Sequence, residues 1–224
     1  KLKGTLLITT DKVYQNNSNN KKFTENDPLG GNDPYSLSKA ISDLIFQYFI
    51  NYIYKKYNKF YIIRSGNIYG GGDFAENRLI SDYYKSKKKL TIRNPKSTRP
   101  YQFILDAIFC YLIIMSKKQS SSIWNVGPKK SINSLNIIKK LNIISNLKKK
   151  IILKKNQNNT NLEKKFLSLS TKKIEKEFKY RFKININRGL KYTNLINSNF
   201  KRQGNIINKF MDQQIKNYID NTND

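Results

Sequence analysis

The sequence contains no histidine and one cysteine in 224 residues. The absence of histidine argues against Ser-His and Cys-His catalysis and removes the commonest metal ligand, so no metal site is expected. Cys110 has no partner for an internal disulfide, which is typical of a cytoplasmic protein. Its apolar neighbours predict a buried structural thiol.

Long hydrophobic runs are also absent. The longest, Phe103 to Met115, is 13 residues and contains Asp106. Because about 20 residues are needed to span a bilayer, this run predicts a buried helix and no membrane association. No signal peptide opens the sequence. The first residues lead directly into a predicted strand, so we expect the chain to be a piece of a longer protein.

Acidic residues are scarce, with 15 Asp and Glu against 43 Lys and Arg, giving a net charge of +28. Such an excess first indicates a nucleic-acid-binding protein. However, only 7 of the basic residues are Arg, the better phosphate ligand, and the 36 Lys are accompanied by 30 Asn and 30 Ile. These three residue types share A/T-rich codons, so we interpret the charge as mutational drift. A cationic, catalytically inactive remnant that binds nucleic acid remains the alternative.

The first 65 residues predict a strand, a helix and a second strand. The apolar run Leu6–Ile8 leads into the polar residues 9–12, as in a buried parallel strand whose carboxyl end meets a ligand. Asp33 followed by Pro34 predicts a helix start, and the helix should run to about Tyr57. Phe60–Ile63 is the next strand. This order predicts a parallel crossover unit.

The rest of the chain carries coarser signals. Residues 15–33 predict a loop, the second strand ends in the polar segment 64–67, and the glycines at 70–72 predict either backbone turns near the substrate or a plain loop. Helices are expected at 77–88, 104–118, 133–146, 170–177 and 187–198, and short strands near 90–93, 123–126 and 150–153.

Tyr35 and Lys39 lie one turn apart on the first predicted helix, on the same face. Beside a strand ending in Thr10, the ammonium of Lys39 would stabilise the phenolate of Tyr35. That phenolate could take a proton from a sugar hydroxyl while a nicotinamide accepts hydride. The alternative is that Tyr35 and Lys39 have no catalytic role and lie on a solvated helix face by chance. Both residue types are abundant in this sequence, so such a spacing can arise without function.

Six ordered sequence blocks carry a resemblance that extends over essentially the whole chain. The blocks are TTDKVY (9–14), DPLGGNDPYSLSKA (27–40), RSGNIYGGGDFAENRLISD (64–82), IRNPKSTRPYQFILD (92–106), WNVGP (124–128) and QIKNY (214–218). They are similar to the extended short-chain dehydrogenase/reductases, and within them to the sugar-nucleotide 4,6-dehydratases that act on CDP-glucose.

The resemblance implies an α/β fold, a Rossmann-like doubly wound parallel sheet with a smaller C-terminal α/β substrate-binding lobe. Residues 1–70 would be the remaining part of the NAD-binding domain. Residues 71–224 would be mostly the substrate lobe, with a segment at about 100–127 returning to the Rossmann sheet. The cofactor would be NAD, and the full-length protein would form a homodimer or homotetramer.

The family's opening Gly-rich dinucleotide fingerprint is missing from this chain. At least two N-terminal βαβ units are therefore expected to be missing. The chain as it stands is expected to bind NAD weakly or not at all, because the NAD pyrophosphate lacks its helix N-terminus.

Five residues match the family's catalytic positions. Thr10 would hydrogen-bond the sugar O4; the alternative is that it is an ordinary hydroxyl at a strand end. Asp11 would be the general acid that protonates the departing C6 hydroxyl; the alternative is that it only caps a turn. Lys12 stands where related enzymes have a Glu that removes the C5 proton, so it either is the base or positions the sugar. Tyr35 and Lys39 match the dehydrogenase pair and the cofactor contacts.

Four further residues match positions around the substrate diphosphate and nucleotide: Asn67, Arg78, Arg93 and Arg99. A guanidinium holds phosphate oxygens through two hydrogen bonds, which suits that role, with plain surface charge as the alternative. The chain departs from the family at four positions, with Phe74 and Tyr101 for Trp, Phe103 for His and Ser81 for Pro.

The implied reaction converts CDP-glucose to CDP-4-keto-6-deoxyglucose, with loss of water and transient reduction of NAD, as in deoxysugar and lipopolysaccharide biosynthesis. A related NAD-dependent sugar-nucleotide epimerase is the other enzyme alternative. An epimerase needs no acid to expel a C6 hydroxyl, so Asp11 and Lys12 favour the dehydratase.

Overall fold

The structure, a computed structural model, describes residues 4–15, 21–53, 59–117, 122–153, 166–200 and 204–220. Its strands are β1 (Gly4–Thr10), β2 (Lys59–Ser65), β3 (Asn67–Tyr69), β4 (Lys89–Ile92), β5 (Thr98–Arg99), β6 (Tyr101–Phe103), β7 (Ser122–Val126), β8 (Ile132–Asn133) and β9 (Lys150–Leu153). Its helices are α1 (Pro34–Tyr48), α2 (Leu79–Lys85), α3 (Ile104–Ser116), α4 (Ser134–Ser145), α5 (Lys172–Phe178), α6 (Ile186–Asn199) and α7 (Gly204–Ile219).

A parallel sheet of order β1-β2-β7 lies at the centre of the first half of the chain. Thr10 pairs with Ser65, and Ser65 pairs with Val126, so the carboxyl ends of the three strands coincide. Smaller parallel pairs join β3 to β6 and β4 to β9, while β5 and β8 pair antiparallel. The predicted α/β class with parallel strands is confirmed.

Helix α1 begins where its sequence predicts. Asp33 is the N-cap and accepts a 2.9 Å hydrogen bond from the Ser36 amide, while the Ser36 hydroxyl accepts from the Asp33 amide. Pro34 occupies the first helical position, where its missing N–H costs nothing. This capping box fixes the start of the helix that carries Tyr35 and Lys39.

The predicted end of this helix, near residue 57, lies outside the described residues. Within them, the α-helix ends at Tyr48 and continues as a wider π turn over Phe49–Ile53, a change in winding that was not predicted. The sequence contains neither glycine nor proline here to signal a stop, and residues 54–58 lie outside the described residues.

The strand predicted at Phe60–Ile63 is longer in the structure, because β2 continues to Ser65, and β3 then starts at Asn67. Arg64 remains inside the strand since the carboxylate of Asp43 compensates its buried charge. Four two- or three-residue strands (β3, β5, β6, β8) and helix α7 were not predicted. The other predicted helices and strands are present within a few residues of their expected bounds.

Two buried clusters support the elements around the sheet. One packs α2, β4, α4 and α6 together and includes Tyr83, Leu90, Ile137 and Leu190. The other covers β2 and β7 and includes Tyr61, Ile63, Ile114, Trp124 and Phe178. Cys110 belongs to the second cluster at 1% exposure, as its apolar neighbours predict. None of the helices in the described ranges is long and apolar enough to cross a membrane.

Candidate active site

A pocket of about 770 Å³ opens at the carboxyl ends of β1 and β2 and extends to α2 and β4. Ligand pockets of proteins range from about 300 to 1,000 Å³, so its volume suits a small molecule. Every predicted site residue except Lys39 lines it. These are Thr10, Asp11, Lys12, Tyr35, Asn67, Arg78, Arg93 and Arg99.

The end of β1 holds Thr10 and Asp11 in one local arrangement. The Thr10 hydroxyl donates a 3.1 Å hydrogen bond to Oδ1 of Asp11 and accepts a 3.3 Å bond from the Lys12 amide. These bonds cap the 3-10 turn Asp11–Val13. Asp11 is 1% exposed, so its carboxyl group forms part of the pocket wall and does not extend into solvent.

Tyr35 lies at the pocket rim with 51% of its surface exposed. The Lys12 ammonium is 5.8 Å from the centre of the Tyr35 ring, within cation–π range. Lys39 lies one turn after Tyr35 on α1 and outside the pocket lining. The structure therefore brings Lys12 to the tyrosine ring.

Asp33 adds a negative charge beside Lys12. Burial would raise the pKa of Asp33, but hydrogen bonds from the Ser36 hydroxyl and amide and the charge of Lys12 together hold that pKa below its ordinary value. At the rim of the pocket, the Lys12 ammonium thus lies near both the Tyr35 ring and the ionised carboxylate of the helix N-cap residue Asp33.

The arginines occupy the part of the pocket formed by α2, β4 and β5. Arg93 donates a 2.5 Å hydrogen bond to Oδ1 of Asn77, and Arg78 lies 3.8 Å from Oδ2 of Asp73. Arg99 is 4% exposed and donates to the carbonyl of Thr98. Three guanidinium groups along one cavity form an anion-binding surface suited to a diphosphate.

Gly66 permits β2 to approach the segment that carries Arg99. A Cβ atom at position 66 would lie 2.4 Å from the Pro100 carbonyl oxygen. Any other residue would therefore push Asn67 and Arg99 apart. Among the three glycines predicted to turn near the substrate, Gly72 has a φ of +84°, which favours glycine.

A buried polar network beneath the pocket was not predicted. Arg64 makes two 2.9 Å hydrogen bonds to the carboxylate of Asp43 and one of 3.1 Å to the Tyr14 hydroxyl. Thr9, next to Thr10, donates to the same carboxylate at 3.3 Å, and Tyr14 donates to Asn125 of β7 at 2.5 Å. The network joins α1 to all three strands of the β1-β2-β7 sheet.

The pKa values in this network favour one charge state. Burial would lower the pKa of the Arg64 guanidinium, but the Asp43 hydrogen bonds and charge raise it. Burial raises the pKa of Tyr14 far above its ordinary value despite the nearby Arg64. Arg64 therefore stays charged and Tyr14 stays neutral. The sequence contained one signal of this arrangement, a charged residue within an apolar strand, which requires a buried partner.

The comparisons with known proteins agree with this fold. The sequence model of the NAD dependent epimerase/dehydratase family matches residues 2–127. The chain belongs to this family.

Curated relatives include dehydratases of two sugar nucleotides. The chain is 35% identical over 142 residues to CDP-glucose 4,6-dehydratase of Salmonella typhimurium, covering 57% of this chain and 40% of that protein. It is 33% identical over 160 residues to dTDP-D-glucose 4,6-dehydratase of Dictyostelium discoideum, covering 65% of this chain and 36% of that protein. The chain thus spans well under half the length of these relatives.

Solved structures share the fold at low identity. The dTDP-glucose 4,6-dehydratase of Bacillus anthracis, in complex with NAD, superposes with a TM-score of 0.74 at 19% identity, over 92% of this chain and 64% of that one. The UDP-glucuronic acid 4-epimerase of Bacillus cereus, in complex with UDP-glucuronic acid and NAD, superposes with a TM-score of 0.76 at 21% identity. This match covers 89% of this chain and 63% of that one. The Rossmann-like α/β architecture is thereby established.

The residues present fit one end of a dinucleotide. The pocket rim offers the phenol of Tyr35, with Ile8 and Thr10 beside it, to a reactive ring. By contrast, β1 leads into the polar turn Asp11–Val13, and not into a glycine-rich turn that could hold a pyrophosphate. Within the described part of the chain, no group of acidic or Cys side chains could hold a metal ion.

Proposed function

We propose that this chain carries the substrate pocket and the proton-transfer residues of a sugar-nucleotide 4,6-dehydratase, a hydro-lyase. One observation carries the proposal. A single pocket brings together a strand-end hydroxyl, a buried carboxyl group, a rim phenol and three guanidinium groups, from segments as far apart as residues 10 and 99.

Each residue at the sheet end has a proton to hold or move. Tyr35 takes the proton of the sugar O4 hydroxyl, and Thr10 hydrogen-bonds the same oxygen. Asp11 donates a proton to the departing C6 hydroxyl. Lys12 either removes the C5 proton or positions the sugar, and its placement over the Tyr35 ring supports the positioning role.

NAD, when bound, supplies a hydride acceptor and donor. Tyr35 and Lys39 are the residues of this chain that would hold its reactive end. Residues 1–70 and a segment at about 100–127 would belong to the cofactor-binding domain, and the rest of 71–224 mostly to the substrate lobe. The β1-β2-β7 sheet supports this division, because β7 (Ser122–Val126) pairs with β2.

The arginines at the other end of the pocket bind the part of the substrate that does not react. Arg78, Arg93 and Arg99 neutralise the diphosphate, and Asn67 hydrogen-bonds the nucleotide or sugar. CDP-glucose is the proposed substrate, supported by the 35% identity to the Salmonella typhimurium enzyme. The product would be a 4-keto-6-deoxy sugar nucleotide, a precursor of deoxysugars such as those of lipopolysaccharide.

Calorimetric titration of the purified chain with CDP-glucose, dTDP-glucose and UDP-glucose tests the binding half of the proposal. Salt at about 150 mM screens exposed charge to a Debye length of about 8 Å, which limits nonspecific attraction to the basic surface. We expect saturable 1:1 binding, tightest for CDP-glucose. The proposal is wrong if none of the three binds.

A parallel titration with a DNA duplex separates the cationic-remnant alternative. That alternative predicts tight DNA binding whose log affinity falls steeply with log salt, and no sugar-nucleotide binding.

A further inference from the structure

Ser81, in α2, has a buried hydroxyl that no group in the described part of the chain satisfies. The residue is 2% exposed, and its Oγ has no hydrogen-bond partner within the described ranges. It also lines the pocket. A buried hydroxyl without a partner costs free energy, and that cost is recovered if a bound ligand supplies the partner.

The surroundings of Ser81 identify the part of a ligand that it would meet. Its part of the pocket lining comes from α2 and β4 and the residues next to them, where Leu79, Ile80 and Ile92 provide apolar surface, Arg78 and Arg93 provide guanidinium groups and Asp82 provides a carboxylate. The sugar-processing groups Thr10, Asp11 and Tyr35 come instead from β1, the turn that follows it and α1. A neutral hydroxyl on an apolar wall beside arginines suits the ribose and base that follow a diphosphate.

We infer that the Ser81 hydroxyl hydrogen-bonds the nucleoside moiety of the substrate. The inference rests on the proposed function. The resembling family usually has proline at this position, and a proline side chain can neither donate nor accept a hydrogen bond. The contact would therefore be absent from family members that have the proline.

Calorimetric titration of the full chain with CDP-glucose and with CMP tests the inference, comparing wild type with Ser81→Ala. The variant removes an unsatisfied hydroxyl, so its melting temperature should be unchanged or higher. Losing one hydrogen bond to the ligand should weaken binding about three- to tenfold. Because the contact is to the nucleoside, both ligands should lose the same factor.

Ser116→Ala is the matched control. Ser116 is exposed at the end of α3 and lies outside the pocket lining, so both affinities should equal those of wild type. Equal affinities of wild type and Ser81→Ala would overturn the inference while leaving the proposed function standing. A loss for CDP-glucose but not for CMP would place the contact at the sugar and also overturn it. No binding of either ligand to wild type would overturn both the proposed function and this inference.

Discussion

Asp43 and Arg64 lie 21 residues apart in the sequence, and their side chains meet in two hydrogen bonds of 2.9 Å. Both side chains are almost completely buried, at 0% and 1% exposure. Asp43 is in α1, one turn beyond Lys39, and Arg64 is in β2, next to the pocket residue Ser65. This ion pair joins the helix that carries Tyr35 to the sheet whose carboxyl end forms the pocket.

Breaking this pair on one side should strongly destabilise the protein. Arg64→Met leaves the Asp43 carboxylate buried without its main partner, which should cost about 3–5 kcal/mol of unfolding free energy. The double variant Asp43→Leu/Arg64→Met removes both charges and should recover much of that loss. Urea denaturation followed by circular dichroism measures both.

The exposed pair Lys21–Asp27, at 2.6 Å, provides the control for this comparison. Because solvent screens it, Lys21→Ala should cost about 1 kcal/mol or less. If Arg64→Met costs no more than Lys21→Ala, the buried pair does not hold α1 to the sheet.

The Asp33→Asn variant should show a weaker dependence of the unfolding free energy on pH in the acidic range than wild type. In the folded protein, the pKa of Asp33 is lowered from its ordinary value of 3.8. The ionised carboxylate therefore stabilises the folded state above pH 3.8, and this stabilisation is lost as the pH falls through the lower pKa of the folded protein. Asparagine caps helices about as well, so unfolding free energy near neutral pH should change by only about 0.5 kcal/mol. Urea midpoints between about pH 3 and pH 7 measure the slope.

Asp220→Asn, on an exposed carboxylate just beyond α7, should leave that slope as in wild type. An equal change in both variants would assign the effect to net charge and contradict the role of the Asp33 cap.

Tyr218→Phe should loosen α7. The Tyr218 hydroxyl donates a 2.7 Å bond to Oδ1 of Asp106, whose carboxylate also accepts from the amides of Lys183 and Ile184. A hydrogen bond to a charged group is worth about 1.5–3 kcal/mol, so the variant should lose about that much. Tyr84→Phe removes a 3.1 Å bond to the neutral Asn194 and should lose less. Hydrogen exchange of α7 amides checks the effect locally, and unchanged protection would refute it.

Arg93→Ala should weaken sugar-nucleotide binding about 10- to 100-fold, the loss expected for a charged hydrogen bond. The affinity of Arg93→Lys should lie between those of wild type and Arg93→Ala, because lysine keeps the charge but lacks the planar guanidinium that binds two phosphate oxygens at once. Arg181→Ala removes the same charge from an exposed residue outside the pocket and should bind as wild type does. Calorimetric titration with CDP-glucose measures all three, and equal effects of Arg93→Ala and Arg181→Ala would refute a specific phosphate contact.

The parts of this structure that the sequence predicted depend on local chemistry. The start of α1 was predictable because Asp33 and Pro34 are neighbours, and the ends of β1 and β2 were predictable to within about two residues because the apolar runs Leu6–Ile8 and Phe60–Ile63 give way to polar residues. The change from α-helix to π turn after Tyr48 was not predictable, because a π turn requires no particular residue type. The Asp43–Arg64 pair and the unsatisfied hydroxyl of Ser81 were not predictable either, because both depend on which distant segments pack around them.

The central claim is that this pocket dehydrates a sugar nucleotide, and product mass tests it most directly. We would fuse the chain behind the N-terminal part of the Salmonella typhimurium relative that it does not match, and incubate the fusion with NAD and CDP-glucose. We predict a product lighter by one water, none with Tyr35→Phe, and much slower formation with Asp11→Asn. A folded, NAD-binding fusion that yields no such product, or that yields only an isomer of unchanged mass as an epimerase would, contradicts the claim.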